Sequence, residues 1–126
     1  MKKVIETKNA PAAIGPYSQG ISLGNLIFTS GQLPLNPVTN EMAETIKEAT
    51  KQSLENVKAI LAEAGATMDQ VVKCTVFLKD LGDFADMNSV YAEYFQQHCP
   101  ARSCFQVAKL PMDALVEIEA IACKEA

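Results

Sequence analysis

The feature that most limits the possible folds is the alternation near the C-terminus, Val116-Glu117-Ile118-Glu119-Ala120-Ile121-Ala122. Successive side chains of a strand point to opposite faces, so Val116, Ile118, Ala120 and Ala122 form one wholly apolar face. Glu117, Glu119 and Ile121 form the other. A strand this one-sided, read over residues 115–123, has to lie beneath a covering layer, and helices packed on one side of a sheet supply it.

Two segments have the right pattern for that layer. Between residues 43 and 64, Ile46, Ala49, Leu54, Val57, Ile60, Leu61 and Ala64 recur at helical spacing, while Lys47, Glu48, Lys51, Glu55 and Lys58 occupy the rest of the cylinder. Gly65 follows where a left-handed residue closes a helix. A second helix is capped by Asp83, carries Phe84, Met87, Val90, Tyr91, Tyr94 and Phe95 on one stripe, and is expected to stop near Cys99, ahead of Pro100. Strands are expected at residues 18–23 and 26–30, joined by a Gly24-Asn25 turn, and at 71–79 and 102–108, with a further one at 3–7. In the 71–79 strand, Val72, Cys74, Val76 and Leu78 share a face opposite Lys73, Thr75 and Phe77. The order predicts an α+β two-layer sandwich: a mixed six-stranded sheet with two helices on one face and the other face open. The 126 residues, 48% of them hydrophobic, suit a single domain, 1–126.

Charge and cysteine usage exclude several classes. The net charge is −4 and no basic run is present, which leaves a nucleic-acid partner without electrostatic support and disfavours an anionic membrane. The first residues carry lysines but no apolar stretch of the kind an export signal needs, so a cytoplasmic location is expected. Cys74, Cys99, Cys104 and Cys123 are then expected as thiols. His98, Cys99 and Cys104 lack an evident fourth ligand, so no metal is expected.

The open face concentrates the chemistry. If Phe105 and Val107 face the helices, then Arg102, Cys104 and Gln106 face outward. Pairing of the last two strands as a hairpin then sets Arg102 and Cys104 beside Glu117 and Glu119. Two readings stand for this group: a solvated ion-pair network or a reactive site. Cys104 fits a small buried hydrophobe or a nucleophile, Tyr17 a packing residue or a ligand contact, and Asn88 a core amide or an interface group. His98, the only histidine, suits a helix C-terminus better than catalysis.

The segments AAIGPYSQGISLGNLIFTSGQLPLNPVTNE, SLENVKAIL, VVKCTVFLKDLGDFADMNSVY and PARSCFQVAKLPMDALVEIEAIA follow the pattern of the RidA branch of the reactive-intermediate deaminases, in order, from Pro11 to Ala122. The chain resembles that family over nearly its whole length. The resemblance implies a chorismate-mutase-like fold, a homotrimer with sites in clefts between subunits, and hydrolysis of 2-imino and 2-enamino acids to 2-oxo acids and ammonia without cofactor. It also implies roles: Arg102 holding the substrate carboxylate, Glu117 activating water and returning a proton, and the backbone at Cys104 and Gly31 contacting substrate or water. Tyr17, Ser30, Phe84 and Asn88 would line the cleft. The stretch from Gln96 to Pro100 is shorter than in many members, which alters the expected cleft rim. Competing functions are a small-carboxylate sensor, which needs Arg102 but not Glu117, and a holdase, which needs neither.

Overall fold

Side chains that cap, break or bulge fix where each element begins and ends. The computed structural model describes residues 1–126. Helix α1 (Ile46–Glu63) starts where the Thr45 side chain accepts a hydrogen bond from the Glu48 N–H at 3.2 Å, which puts its first residue later than the apolar spacing suggests. It ends as the sequence predicts. Gly65 takes a φ of +82°, the Gly65 N–H bonds the Ala62 carbonyl at 3.0 Å, and the Ala66 N–H bonds Leu61 at 2.8 Å. Helix α2 (Phe84–Tyr94) is shorter than expected. The chain leaves helical geometry at Phe95 (φ −131°, ψ 77°), whose ring is buried against Tyr91, and His98 lies beyond the helix in a left-handed turn with φ 51°.

Six strands form one mixed sheet: β1 (Lys2–Ile5), β2 (Gly20–Leu23), β3 (Leu26–Thr29), β4 (Val71–Leu78), β5 (Ala101–Gln106) and β6 (Val116–Cys123), in the order β1-β2-β3-β6-β4-β5. All neighbours are antiparallel except β4 and β5, which run parallel. Thus β5 and β6 are not a hairpin. After β5 the chain crosses back, and β6 inserts between β3 and β4.

Both helices lie on one side. Ile27, Leu54, Ile60, Leu61, Leu78, Met87 and Ile118 are completely buried between the layers, each contributing about 1.5–3 kcal/mol of apolar burial. On β6, Val116, Ile118, Ala120 and Ala122 point into this core, as the alternation requires. On β4, Cys74, Val76 and Leu78 do the same, but Val72 does not: the register shifts between Val71 and Lys73, and Val72 bulges out to solvent. The other sheet face has no helix over it. Phe28, Leu26 and Phe105 are between 37% and 46% exposed there, an apolar area a lone chain leaves uncovered.

Candidate active site

Cross-strand register decides which side of the sheet each polar residue occupies. In the parallel pair, Arg102 lies opposite Cys74, Cys104 opposite Val76, and Gln106 opposite Leu78. Those three β4 residues are buried under the helices, so Arg102, Cys104 and Gln106 lie on the helix side of the sheet. Glu117 and Glu119 lie opposite Phe77 and Thr75 on the open side, in rows that Phe105 and Ser103 continue. The expected grouping of Arg102 and Cys104 with the two glutamates is therefore overturned. The assignment of Phe105 to the core falls with it: its ring meets Phe77 edge-on, 5.4 Å between centroids, on the open face. So does the ion-pair reading, since the one salt bridge of the chain joins Lys79 and Asp113.

Arg102 sits on the edge strand under α2. Phe84, Asn88 and Tyr91 follow one another at i, i+4 and i+7, so a single helix face presents all three to the guanidinium. Asn88 Oδ1 accepts a hydrogen bond from Arg102 Nη1 at 2.7 Å. The guanidinium carbon lies 4.7 Å from the Tyr91 ring centre and 5.4 Å from that of Phe84. Cation–ring contacts contribute roughly 0.5–1 kcal/mol each and a hydrogen bond to a charged group about 1.5–3. Together they outweigh the ~2 kcal/mol of rotamer entropy a free arginine holds. The fork is held before any ligand arrives. Cys104, half-buried next along the strand, has its thiol pushed up by burial, which the Arg102 charge offsets only in part. A raised thiol pKa is the wrong direction for a thiolate nucleophile.

Glu117 belongs to a second cluster on the open side. Strand β3 peels away from β6 after Thr29, where the Ala120 N–H bonds Thr29 Oγ1 at 3.0 Å instead of a carbonyl. The strands meet again at Gln32 and Ile118, which exchange N–H···O bonds of 2.8 and 3.1 Å. Gly31 lies between, and the Glu117 carboxylate rests on it. A Cβ at Gly31 would stand 2.8 Å from Glu117 Cδ and 3.0 Å from Cγ, so the glycine serves close approach and not a special φ. Glu117 is half-buried, and burial first, then the charge of Glu119, raises its pKa above the usual carboxylate value. The buried Asn56 amide on α1 anchors the following loop through the Leu33 and Leu35 carbonyls, both at 3.0 Å.

Tyr17 and Ser30 border the same side, in a groove with Phe28 and Ile21. Ser30 Oγ donates to the Ser18 carbonyl at 2.6 Å, and Tyr17 is 52% exposed. The loop carrying Tyr17 is fastened by the buried Gln19: its Oε1 accepts from the Thr7 N–H at 2.7 Å, and its Nε2 donates to the carbonyls of Thr7, Ala10 and Pro11. One chain thus carries two separate clusters on opposite faces: Arg102, Asn88, Phe84 and Cys104 on one, Glu117, Gly31, Ser30 and Tyr17 on the other. None of the principal surface grooves contains Arg102 or Glu117. No cluster of three or more His, Cys, Asp or Glu side chains is placed to hold a metal ion. Tyr91 is the residue whose place at this site sequence reading missed, because an aromatic on an apolar helix stripe looks like core.

Residues 7–124 match the family model described as Endoribonuclease L-PSP. A 2-iminobutanoate/2-iminopropanoate deaminase of Escherichia coli is 54% identical over 98% of this chain and 99% of its own length. The chain belongs to the YjgF/RidA family. A RutC family protein of Pyrococcus abyssi is 58% identical, covering 98% of each chain. Among solved structures, E. coli TdcF with bound serine superposes with a TM-score of 0.93 at 52% identity, over 96% of this chain and 98% of that one. The product of the E. coli YjgF gene superposes at 0.94 with 54% identity, over 97% and 98%. The α+β sheet with two helices described above is the fold of this family.

Proposed function

We propose that this YjgF/RidA protein hydrolyses 2-imino and 2-enamino acids, such as 2-iminobutanoate and 2-iminopropanoate, to the 2-oxo acid and ammonia. Residues 1–126 act as one domain and assemble as a homotrimer, with a site in each cleft between subunits. Arg102 of one subunit anchors the substrate carboxylate, a geometry lysine does not reproduce. Glu117 of the next takes a proton from water as the oxygen adds to the C=N carbon. It then returns that proton to nitrogen, and as the tetrahedral adduct collapses its hydroxyl proton passes to the departing nitrogen, leaving the carbonyl and ammonia. Positioning supplies much of the acceleration, because an imine is already electrophilic.

The observation that carries this reading is the pair of prepared groups on opposite faces. A restrained guanidinium and a half-buried carboxylate of raised pKa need a second chain to meet. The exposed apolar sheet face gives that second chain a surface to cover. The deaminase relative at 54% identity names the reaction class, and serine, the ligand in the TdcF structure, has the α-amino carboxylate arrangement that Arg102 would grip. Action on RNA, which the family description names, finds no electrostatic support in a chain of net charge −4. The cytoplasm is the proposed location, and no helix is long and apolar enough to cross a membrane.

The test couples a threonine dehydratase, as a source of 2-aminocrotonate and its imine, to the purified protein with semicarbazide as a trap. Wild type should divert the imine from semicarbazone to free 2-oxobutanoate, and Arg102→Ala and Glu117→Gln should not. Unchanged trapping with wild type on several amino-acid-derived imines would remove the enzyme reading and leave a carboxylate sensor.

A further inference from the structure

We infer that Tyr91 is a positioning residue for the reaction, its ring forming the floor that holds the Arg102 guanidinium in place for the substrate carboxylate. This rests on Arg102 being the carboxylate anchor. Of the three groups around the guanidinium, Asn88 fixes one nitrogen and leaves rotation about that hydrogen bond free. Phe84, at the first turn of α2, is 37% exposed and lies farther from the charge, at 5.4 Å. Tyr91 is 7% exposed and lies nearer, at 4.7 Å. It removes the rotational freedom that Asn88 leaves.

The ring is itself immobilised. Phe95 packs against it with 4.7 Å between centroids and a 44° tilt. Its hydroxyl is buried with no oxygen or nitrogen partner, beside the Cys74 thiol. Cys74 is completely buried, and it is the cross-strand neighbour of Arg102. The stem of the arginine and the support of the ring are thus mounted on one pair of residues in adjacent strands, and the guanidinium inherits their rigidity. The guanidinium lies over the ring while the hydroxyl is buried beside Cys74, so the aromatic face, not the phenol, is the working part.

The experiment measures 2-oxobutanoate binding by calorimetry, and KM and kcat in the semicarbazide assay. It uses wild type, Arg102→Ala, Tyr91→Phe, Tyr91→Leu and the double variant Tyr91→Leu/Arg102→Ala. Tyr91→Leu should weaken binding by roughly tenfold and raise KM by a similar factor, with kcat changed much less. Tyr91→Phe, which keeps the ring, should recover both to within about twofold. In the Arg102→Ala background, Tyr91→Leu should add nothing, because the two residues act as one unit. If Tyr91→Leu does not fold, fluorinated phenylalanines placed at position 91 replace it. They drain the ring face of negative charge at nearly constant shape and should weaken binding stepwise. Equal losses from Tyr91→Leu with and without Arg102, no loss at all, or indifference to fluorination would overturn the inference. Binding and KM unaffected by Arg102→Ala would instead remove the anchor on which it stands.

Discussion

Chains carrying Arg102→Ala and chains carrying Glu117→Gln should each be inactive alone and regain activity when assembled together. The two residues lie on opposite faces of one sheet with β4 between their strands, so a site containing both draws them from different subunits. The recovery follows from counting. In a random equal mixture, about half the subunits supplying Arg102 to a cleft carry the intact arginine, and about half those supplying Glu117 carry the intact glutamate. About a quarter of all clefts are then complete, and the mixture should reach about a quarter of wild-type activity. The complementary mixture, wild type with the doubly substituted chain, should also fall to about a quarter. Sites confined to one chain would give about half in that second mixture and nothing in the first. Chains are scrambled by unfolding and refolding together and assayed by semicarbazone yield, with unmixed refolded samples as controls. No recovery in the first mixture together with half activity in the second would refute the shared cleft.

Three further outcomes follow from the carboxylate cluster. If Glu117 is the proposed base it must be ionised to accept a proton from water, and its raised pKa should appear as the acid limb of the kcat/KM profile; Glu119→Gln removes a repulsion that raises it and should move that limb to lower pH, and an unmoved limb counts against the coupling. Because the folded chain holds the Glu117 proton more tightly than the unfolded chain does, the group's contribution is favourable below the ordinary value of 4.5 and is lost as pH rises through the folded pKa. Glu117→Gln should therefore melt higher than wild type near about pH 7.5, with the gap closing in acid; a lower melting temperature at neutral pH contradicts the burial argument. Gly31→Ala displaces the Glu117 carboxylate without backbone strain, and turnover should fall by roughly ten- to a hundredfold with little change in melting temperature; a fully active variant shows that the close approach has no function.

The β6 pattern was legible because two forces agree on it: a covering layer wants Val116, Ile118, Ala120 and Ala122, and water accepts Glu117 and Glu119. Strand β5 offered no such agreement. It is an edge strand with one neighbour, its residues from Arg102 to Gln106 include polar groups on both faces, and a large Phe105 invites assignment to the core. The corrective signal was present in the order of elements. A strand, a helix and a strand in succession favour parallel pairing, which ties Arg102 to Cys74 and so to the helix side. Reading the last two strands as a hairpin gave more weight to proximity in sequence than to that connection. The end of α2 was hidden for a different reason: nothing between Tyr94 and Cys99 breaks a helix by propensity, yet the chain leaves helical geometry at Phe95. The close approach of Gly31 to Glu117 depends on residues far apart in the chain, which no local pattern reports.

The amide of Gln19 concentrates in one side chain the ordering of a loop that has almost no regular structure. Thr7, Ala10 and Pro11 contribute only backbone groups to it. The Gln19 amide thus needs only chain geometry from those positions, although Thr7 Oγ1 also accepts from the Asn9 N–H at 3.1 Å and the Ala10 methyl is buried in the core. Ile14, 87% exposed at the tip, can vary without loosening the fastening behind it. That separation leaves the tip open to change while a single glutamine keeps the frame, which would let specificity drift if the loop borders the proposed cleft.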